Sequence, residues 1–439
     1  MPDVIVVGGG VSGLSAACSL AHSGADVLVL EQHAVVGGYC SMFKRGHTWF
    51  DAAVHVIGGL GPHEVLTELL SMVELDLDWI PVEPLFATYM HGQLYDAWDH
   101  TLSETLREGL VASKRTSHKV SFEQWLNQQS NLQTRRILLE SSSTLYTGMP
   151  SSEISALGAL LMFDSYYHGG FYPRGGSRQL PESLKAYLIR QGSTVKTRTQ
   201  VTTLSFDDDS GTWTVSTTKG DFSGRHVIWA ATPNRLQQLL PLQLPSLEPG
   251  PTAHILYVEA GPDLKIDPIP ESMLWSTDPS VDPANHLLEF PEVRAVLSIP
   301  TLGDPSLCPS GHHVLSFAVP SDMTLGRLPN KKAYAESIIS AVERGTGWRV
   351  KDAVIRWELA QPSTLVRYTG NWNGALYGWR RFLPYQGMPT RLPYPNLIGC
   401  SHWGRYGHGI YGVTLAGVRA AEAVRQRQQP PHVKVREAL

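Results

Sequence analysis

Apolar positions along the chain fall into runs whose period changes from segment to segment. The first run, Val4, Ile5, Val6 and Val7, is β-branched and unbroken, the pattern of a strand buried on both faces. Gly8, Gly9, Gly10, Val11, Ser12 and Gly13 follow at once, and Leu14, Ala17, Cys18 and Ala21 then recur at helical spacing up to Ser23 and Gly24. Val27, Leu28, Val29 and Leu30 form a second apolar strand that ends in Glu31. The pattern therefore predicts strand, tight turn, helix and strand in immediate succession.

Beyond residue 64 the period becomes mostly helical as far as 164, with Leu66, Leu69, Leu70 and Val73 on one face. A second helix carries Leu180, Leu184, Tyr187 and Leu188 and stops at Gly192. Strand-like runs at 200–206, 212–217 and 226–231 are separated by Asp207-Asp208-Asp209-Ser210-Gly211 and Lys219-Gly220-Asp221, which suit hairpin turns. The three adjacent acids read as a solvated turn, and no metal site is expected. From 241 to 347 proline-rich loops alternate with strand-like runs at 254–259, 295–299 and 313–318, closed by a helix over 332–344. At the far end, 395–400 reads as a buried strand, followed by a loop with Gly404, Gly407, Gly409 and Gly412 and a helix over 413–425.

Composition narrows the class. The chain has 439 residues, enough for two or three domains. It is 42% hydrophobic and only 17% charged, below the roughly 25% usual for soluble domains. A net charge of −4 argues against a nucleic-acid partner. Cys18, Cys40, Cys308 and Cys400 form no C-x-x-C pair, so neither a zinc site nor a secreted disulfide framework is expected, and a reducing cytoplasm fits best. The most apolar stretch, 157–163, is far shorter than the roughly 20 residues that span a bilayer.

The opening segment carries the chemistry. Gly8 permits the turn, Gly10 lets the backbone approach a pyrophosphate, and Gly13 lets the helix pack closely on the strand. The amides at the helix start, Ser12 among them, face the phosphates. Glu31 lies 21 residues after Gly10, where an acid accepts hydrogen bonds from a ribose hydroxyl and repels a 2′-phosphate. Gly37 and Gly38 come six residues later. This extension resembles the fingerprint of FAD-binding flavoproteins of the glutathione-reductase and amine-oxidase type, and implies FAD.

Taken whole, the chain resembles the carotenoid isomerase, phytoene desaturase and retinol saturase branch of the FAD-dependent amine-oxidase superfamily. Five segments carry the resemblance: Gly8 to Glu31 with Gly37-Gly38; Phe50-Asp51 leading to His55; Tyr172-Pro173-Arg174-Gly175-Gly176; the run from Arg367 to Trp379; and the stretch from Asn396 to Gly412. The resemblance implies an α/β fold: a glutathione-reductase-type FAD-binding Rossmann domain with an inserted mixed α+β substrate domain and a helical cap. The corresponding division is FAD domain at 1–63, 171–240 and 391–439, cap at 64–170 and substrate domain at 241–390.

It further implies that Val201 touches the adenosine half of FAD through its backbone, and that Gly409, Gly412 and Val413 reach the flavin ring and ribityl chain. Tyr377 and Trp379 should lie near the substrate, and the closing helix should aim its positive end at the isoalloxazine. Where the family usually has an acid after the last strand, this chain has Ser401-His402, so His402 is expected on the cofactor. His55, Tyr377 and His402 are the candidate catalytic residues, and His55, Tyr377, Trp379 and Tyr406 the candidate substrate contacts. The implied reaction is hydride transfer at flavin N5 with a small apolar, isoprenoid- or polyene-like substrate, in desaturation, saturation or redox-neutral isomerisation. An apolar tunnel implies peripheral contact with a membrane surface. The alternative is a flavin amine or amide oxidase of a specialised pathway, with an aromatic cage beside the ring.

Overall fold

The computed structural model describes residues 1–428 apart from 84, 87, 91–92, 96–97, 114–119, 246, 267–271, 276–294, 322–327, 329, 381–382 and 384–385. The β-branched opening run forms the strand Val4–Val7 at the middle of a five-stranded sheet. Its neighbours are Val27–Leu30 on one side and His226–Trp229 on the other, with Thr194–Lys196 and Leu397–Gly399 outermost. All four pairings are parallel, so the three inner strands must be covered on both faces, which is why they read as continuous apolar runs.

Alternate side chains divide between two layers. Val4, Val6, Val27, Val29 and Ile228 pack under the helices Val11–His22, Gln179–Arg190 and Gly409–Gln428. Ile5, Val7, Leu28, Leu30 and Trp229 face Val201, Leu204, Trp213 and Val215. These last belong to a three-stranded antiparallel sheet, Val201–Asp207, Thr212–Thr217 and Gly220–Gly224. The hairpin after 212–217 thus has a third strand in a segment whose Lys-Gly-Asp reads as turn alone. The run at 226–231 is the one that leaves to join the parallel sheet.

A mixed seven-stranded sheet forms the second layer system, with Thr252–Ala260 and His313–Ser321 as its longest strands. The helix Lys331–Thr346 covers one face through Tyr334, Ala335, Ile338 and Val342. The opposite face, carrying Ala253, Ile255, Tyr257 and Ala360, packs on Phe50 and Leu365. Short strands Thr88–Met90 and Gln93–Tyr95 from the mostly helical 64–164 region extend this sheet, where the sequence pattern predicts helix. A third short strand, Trp79–Pro81, pairs with Phe171–Pro173, and the region also contains the α-helices Val65–Met72, His100–Ser113, Phe122–Asn127, Arg136–Thr147 and Ala156–Asp164. Among the described residues no helix is long and apolar enough to cross a membrane.

Both ends of the chain meet. A Cβ on Gly417 would stand 2.4 Å from the Ser12 carbonyl oxygen and 2.7 Å from Ser15 Cβ, so the first and last helices touch backbone to backbone there. The Cys400 thiol donates to the Ser12 carbonyl at 3.4 Å, and the Cys400 amide to Trp229 O at 2.9 Å.

Candidate active site

The fingerprint turn is built as its glycines dictate. Gly8 sits at φ +110°, and a Cβ on Gly13 would fall 2.1 Å from the Gly8 carbonyl oxygen, so the helix can rise directly off the strand only without side chains there. Gly10 differs in kind. It has φ −70°, as the residue before the helix, and a Cβ there would meet no atom within 4 Å. Its bareness faces open space, as an approaching phosphate requires.

The second glycine pair is tied to this turn. The Gly37 amide donates to Gly9 O at 2.8 Å, and a Cβ on Gly37, at φ +114°, would stand 2.2 Å from Cys40 O. Glu31 closes the far end. Its carboxylate accepts from the Gly9 amide at 2.7 Å and from the His33 amide at 2.6 Å, and burial raises its pKa against the pull of those bonds.

One cavity of about 820 Å³ joins these parts. Of the residues expected on the cofactor, Gly8, Gly10, Ser12, Glu31, Gly37, Gly38, Val201, His402, Gly409 and Val413 line it. Gly13 lies beneath the turn. Gly412 lies off the wall as well, because a Cβ there would meet Tyr406 O at 2.8 Å: its role is to let the preceding loop fold back on the helix. The closing helix begins at Gly409, four residues before the expected Val413, so Gly409 and Gly412 belong to its first turn. Two helix N-termini, at Val11 and Gly409, therefore open on the same cavity. Each favours negative charge by about 0.3–1 kcal/mol, and more where buried.

His55 and Tyr377 line the cavity, whereas Trp379 and Tyr406 do not. Trp379 is 3% exposed and packs edge-on against Trp403, with ring centroids 4.8 Å apart, and donates its indole N–H to Trp403 O at 2.9 Å. Its place is behind the wall, holding Trp403 forward. Tyr406 packs on the core beneath the parallel sheet instead.

Several wall residues receive no role from the sequence, although Asn371 and His408 lie in segments that carry the family resemblance. Asn371 accepts the Trp403 indole N–H at 3.0 Å, and Tyr39 donates to Gly374 O at 3.1 Å. Tyr146, Tyr166 and His408 stand with Tyr377, whose ring lies 4.8 Å from that of His408. Arg235 lies at the Val201 end and donates to Val201 O at 3.3 Å.

The electrostatics of the chamber are uneven. Among the described wall residues the side chains of full charge are Glu31, Arg45, Arg235 and Glu358, and Arg45 and Glu358 pair with each other. Burial lowers the His55 imidazole to about 4 and raises the Tyr377 and Tyr39 phenols to about 12. At neutral pH His55 is therefore uncharged, and both phenols keep their protons.

One cavity thus joins a buried acid, glycines at two helix N-termini and aromatic walls, the parts by which a protein holds a flat, anionic cofactor. Residues 11–425 match the family of flavin-containing amine oxidoreductases, and the chain belongs to that family. It is a flavin-dependent oxidoreductase.

Prolycopene isomerase 2 of an Oncidium hybrid cultivar is 25% identical over 96% of this chain and 83% of its own. Human all-trans-retinol 13,14-reductase is 27% identical over 50% of this chain and 44% of its own length. The solved structure of cyclohexylamine oxidase from Brevibacterium oxydans superposes with a TM-score of 0.65 at 16% identity, over 97% of this chain and 99% of that one. That likeness concerns the fold.

Glu31 offers a direct test of the groove. Glu31→Gln leaves one oxygen for two amide donors and turns an N–H₂ toward the other. Loss of one such charged acceptor, worth about 1.5–3 kcal/mol, is expected to speed release of the flavin by about tenfold or more, followed by the recovery of free-flavin fluorescence on dilution.

Proposed function

We propose that the flavin is FAD and that the enzyme acts on an apolar isoprenoid- or polyene-like molecule. The observation that carries this reading is the chamber beside His55 and His402. Phe43, Tyr257, Leu359, Leu365, Leu376 and Tyr377 line it, and the only full charges on that side among the described residues, Arg45 and Glu358, already neutralise each other. A cationic amine entering such a chamber loses hydration without gaining an anion, whereas an apolar chain gains roughly 0.8 kcal/mol per buried CH₂.

FAD supplies hydride transfer at N5 when bound. The chain's own residues position the partner. The ring of Trp403, fixed by Asn371 and Trp379, and the aromatic group Tyr146, Tyr166 and Tyr377 set the walls. His55 is the proposed acceptor of the proton lost from a carbon next to the oxidised one, and burial, which holds its imidazole uncharged, makes it a weak base that must pass the proton on. His402, on the wall where the family resemblance leads one to expect an acid, would face the cofactor.

Oxidised and chemically reduced enzyme are mixed anaerobically with all-trans-retinol in detergent micelles, and separately with cyclohexylamine. A change in the polyene absorption in either flavin state is the expected result. Flavin bleaching by the amine, or a polyene inert toward both states, overturns the proposal.

A further inference from the structure

Two conspicuous sequence segments, Phe50-Asp51 and Tyr172 to Gly176, contribute no residue to the cavity wall beyond their neighbours, yet they meet behind it. Asp51, on the strand Thr48–Asp51, is 7% exposed. One carboxylate oxygen accepts the Tyr172 hydroxyl at 2.6 Å, and the other accepts the Ser177 amide at 3.1 Å. The same turn holds a second wall element, since the Cys40 thiol donates to Ser177 O at 3.3 Å. On its other side it is held by Asp304, which is 1% exposed and accepts the Gly175 amide at 2.6 Å.

The next residue is pinned from both sides as well. The Ala52 amide donates to Ser41 O at 2.8 Å, and its carbonyl accepts the Tyr257 hydroxyl at 2.6 Å. Ala52, Ala53, Val54, His55 and Val56 then run along the cavity.

We propose that Asp51 is a positioning residue: with Tyr172 and Ser177 it clamps the 52–56 segment, and Cys40 with it, at the distance from the groove that the flavin requires. A carboxylate is needed because each of its two oxygens accepts one donor, whereas an amide would turn an N–H₂ group toward one of them. The ionised form is held against its own solvation. Burial pushes the Asp51 carboxyl up to about 6, Asp304 pushes in the same direction, and the Tyr172 and Ser177 hydrogen bonds oppose both. Because the folded value lies above the unfolded one, the stability contributed by this group is full below about 3.8 and is lost as the pH rises through about 6. A fold that keeps such a group at neutral pH uses it for placement. The titratable groups facing Asp51 are Tyr172, Asp304, Cys40 and Tyr257.

The inference rests on the cavity being the flavin site, and its test is separable from the identity of the substrate. Full-length holoprotein, Asp51→Asn and Tyr172→Phe are compared for FAD release and for the flavin absorption bands between pH 5 and 8. Asp51→Asn is expected to release FAD at least about fivefold faster with displaced bands, and Tyr172→Phe to do so to a smaller degree. In the wild type, release should quicken as the pH falls through 6, because a protonated Asp51 turns a donor toward Tyr172 or Ser177, and this dependence should vanish in Asp51→Asn. Wild-type release rates and spectra in both variants, whatever their melting temperatures, overturn the proposal. Should Asp51→Asn fail to fold, Tyr172→Phe alone decides. A wild-type protein that holds no FAD refutes the cofactor reading instead.

Discussion

Gly10→Ala is expected to leave the thermal stability of the protein unchanged while weakening FAD binding about 10- to 100-fold, equivalent to roughly 1.4–3 kcal/mol of overpacking against the ligand. The separation of the two effects follows from the backbone. At φ −70° alanine is unstrained, and no protein atom lies within 4 Å of the added carbon. The methyl group has nothing to collide with except what enters the groove. Thermal unfolding of flavin-free protein and fluorescence titration with FAD measure the two quantities independently. A loss of stability in the flavin-free protein, or an undisturbed affinity, contradicts the placement of the phosphates at this turn.

Gly417→Val should have the complementary signature. Its Cβ would meet the Ser12 carbonyl oxygen at 2.4 Å and Ser15 Cβ at 2.7 Å, and neither backbone can yield without separating the first and last helices. A loss of about 3 kcal/mol is expected, seen as a melting temperature lower by several degrees. FAD is expected to be lost with it, because Gly10 to Ser12 and Gly409 to Val413 would no longer face the same space. A variant that melts early yet retains its flavin would show that the two helix ends bind separately.

Much of the cofactor groove is legible in the sequence because its determinants are local. Val4 to Glu31 contains a strand, a turn, a helix and an acid in register, and Gly13 answers to the Gly8 carbonyl oxygen within the same unit. The errors arise where local signals mislead or where partners are distant. Gly409 and Gly412 read as loop because glycine is a poor helix former, but at Gly412 close contact with the 406–407 backbone outweighs that preference in the first turn of the helix. Trp379 shares its residue type with the wall aromatics, and only the tertiary structure shows that its indole N–H points to Trp403 O. Gly220–Gly224 is a strand because Thr212–Thr217 lies beside it, although its own residues favour a turn. The chamber itself is assembled from Tyr39, Tyr166, Asn371 and Trp403, which come from separate segments of the chain and share no periodicity.

The contact between the first and last helices also bears on how the molecule is made. Gly10 and Glu31 leave the ribosome early, but the groove has no second wall until Gly409 to Gln428 has been translated and docked on Ser12 and Ser15. A nascent chain therefore waits with an open half-site.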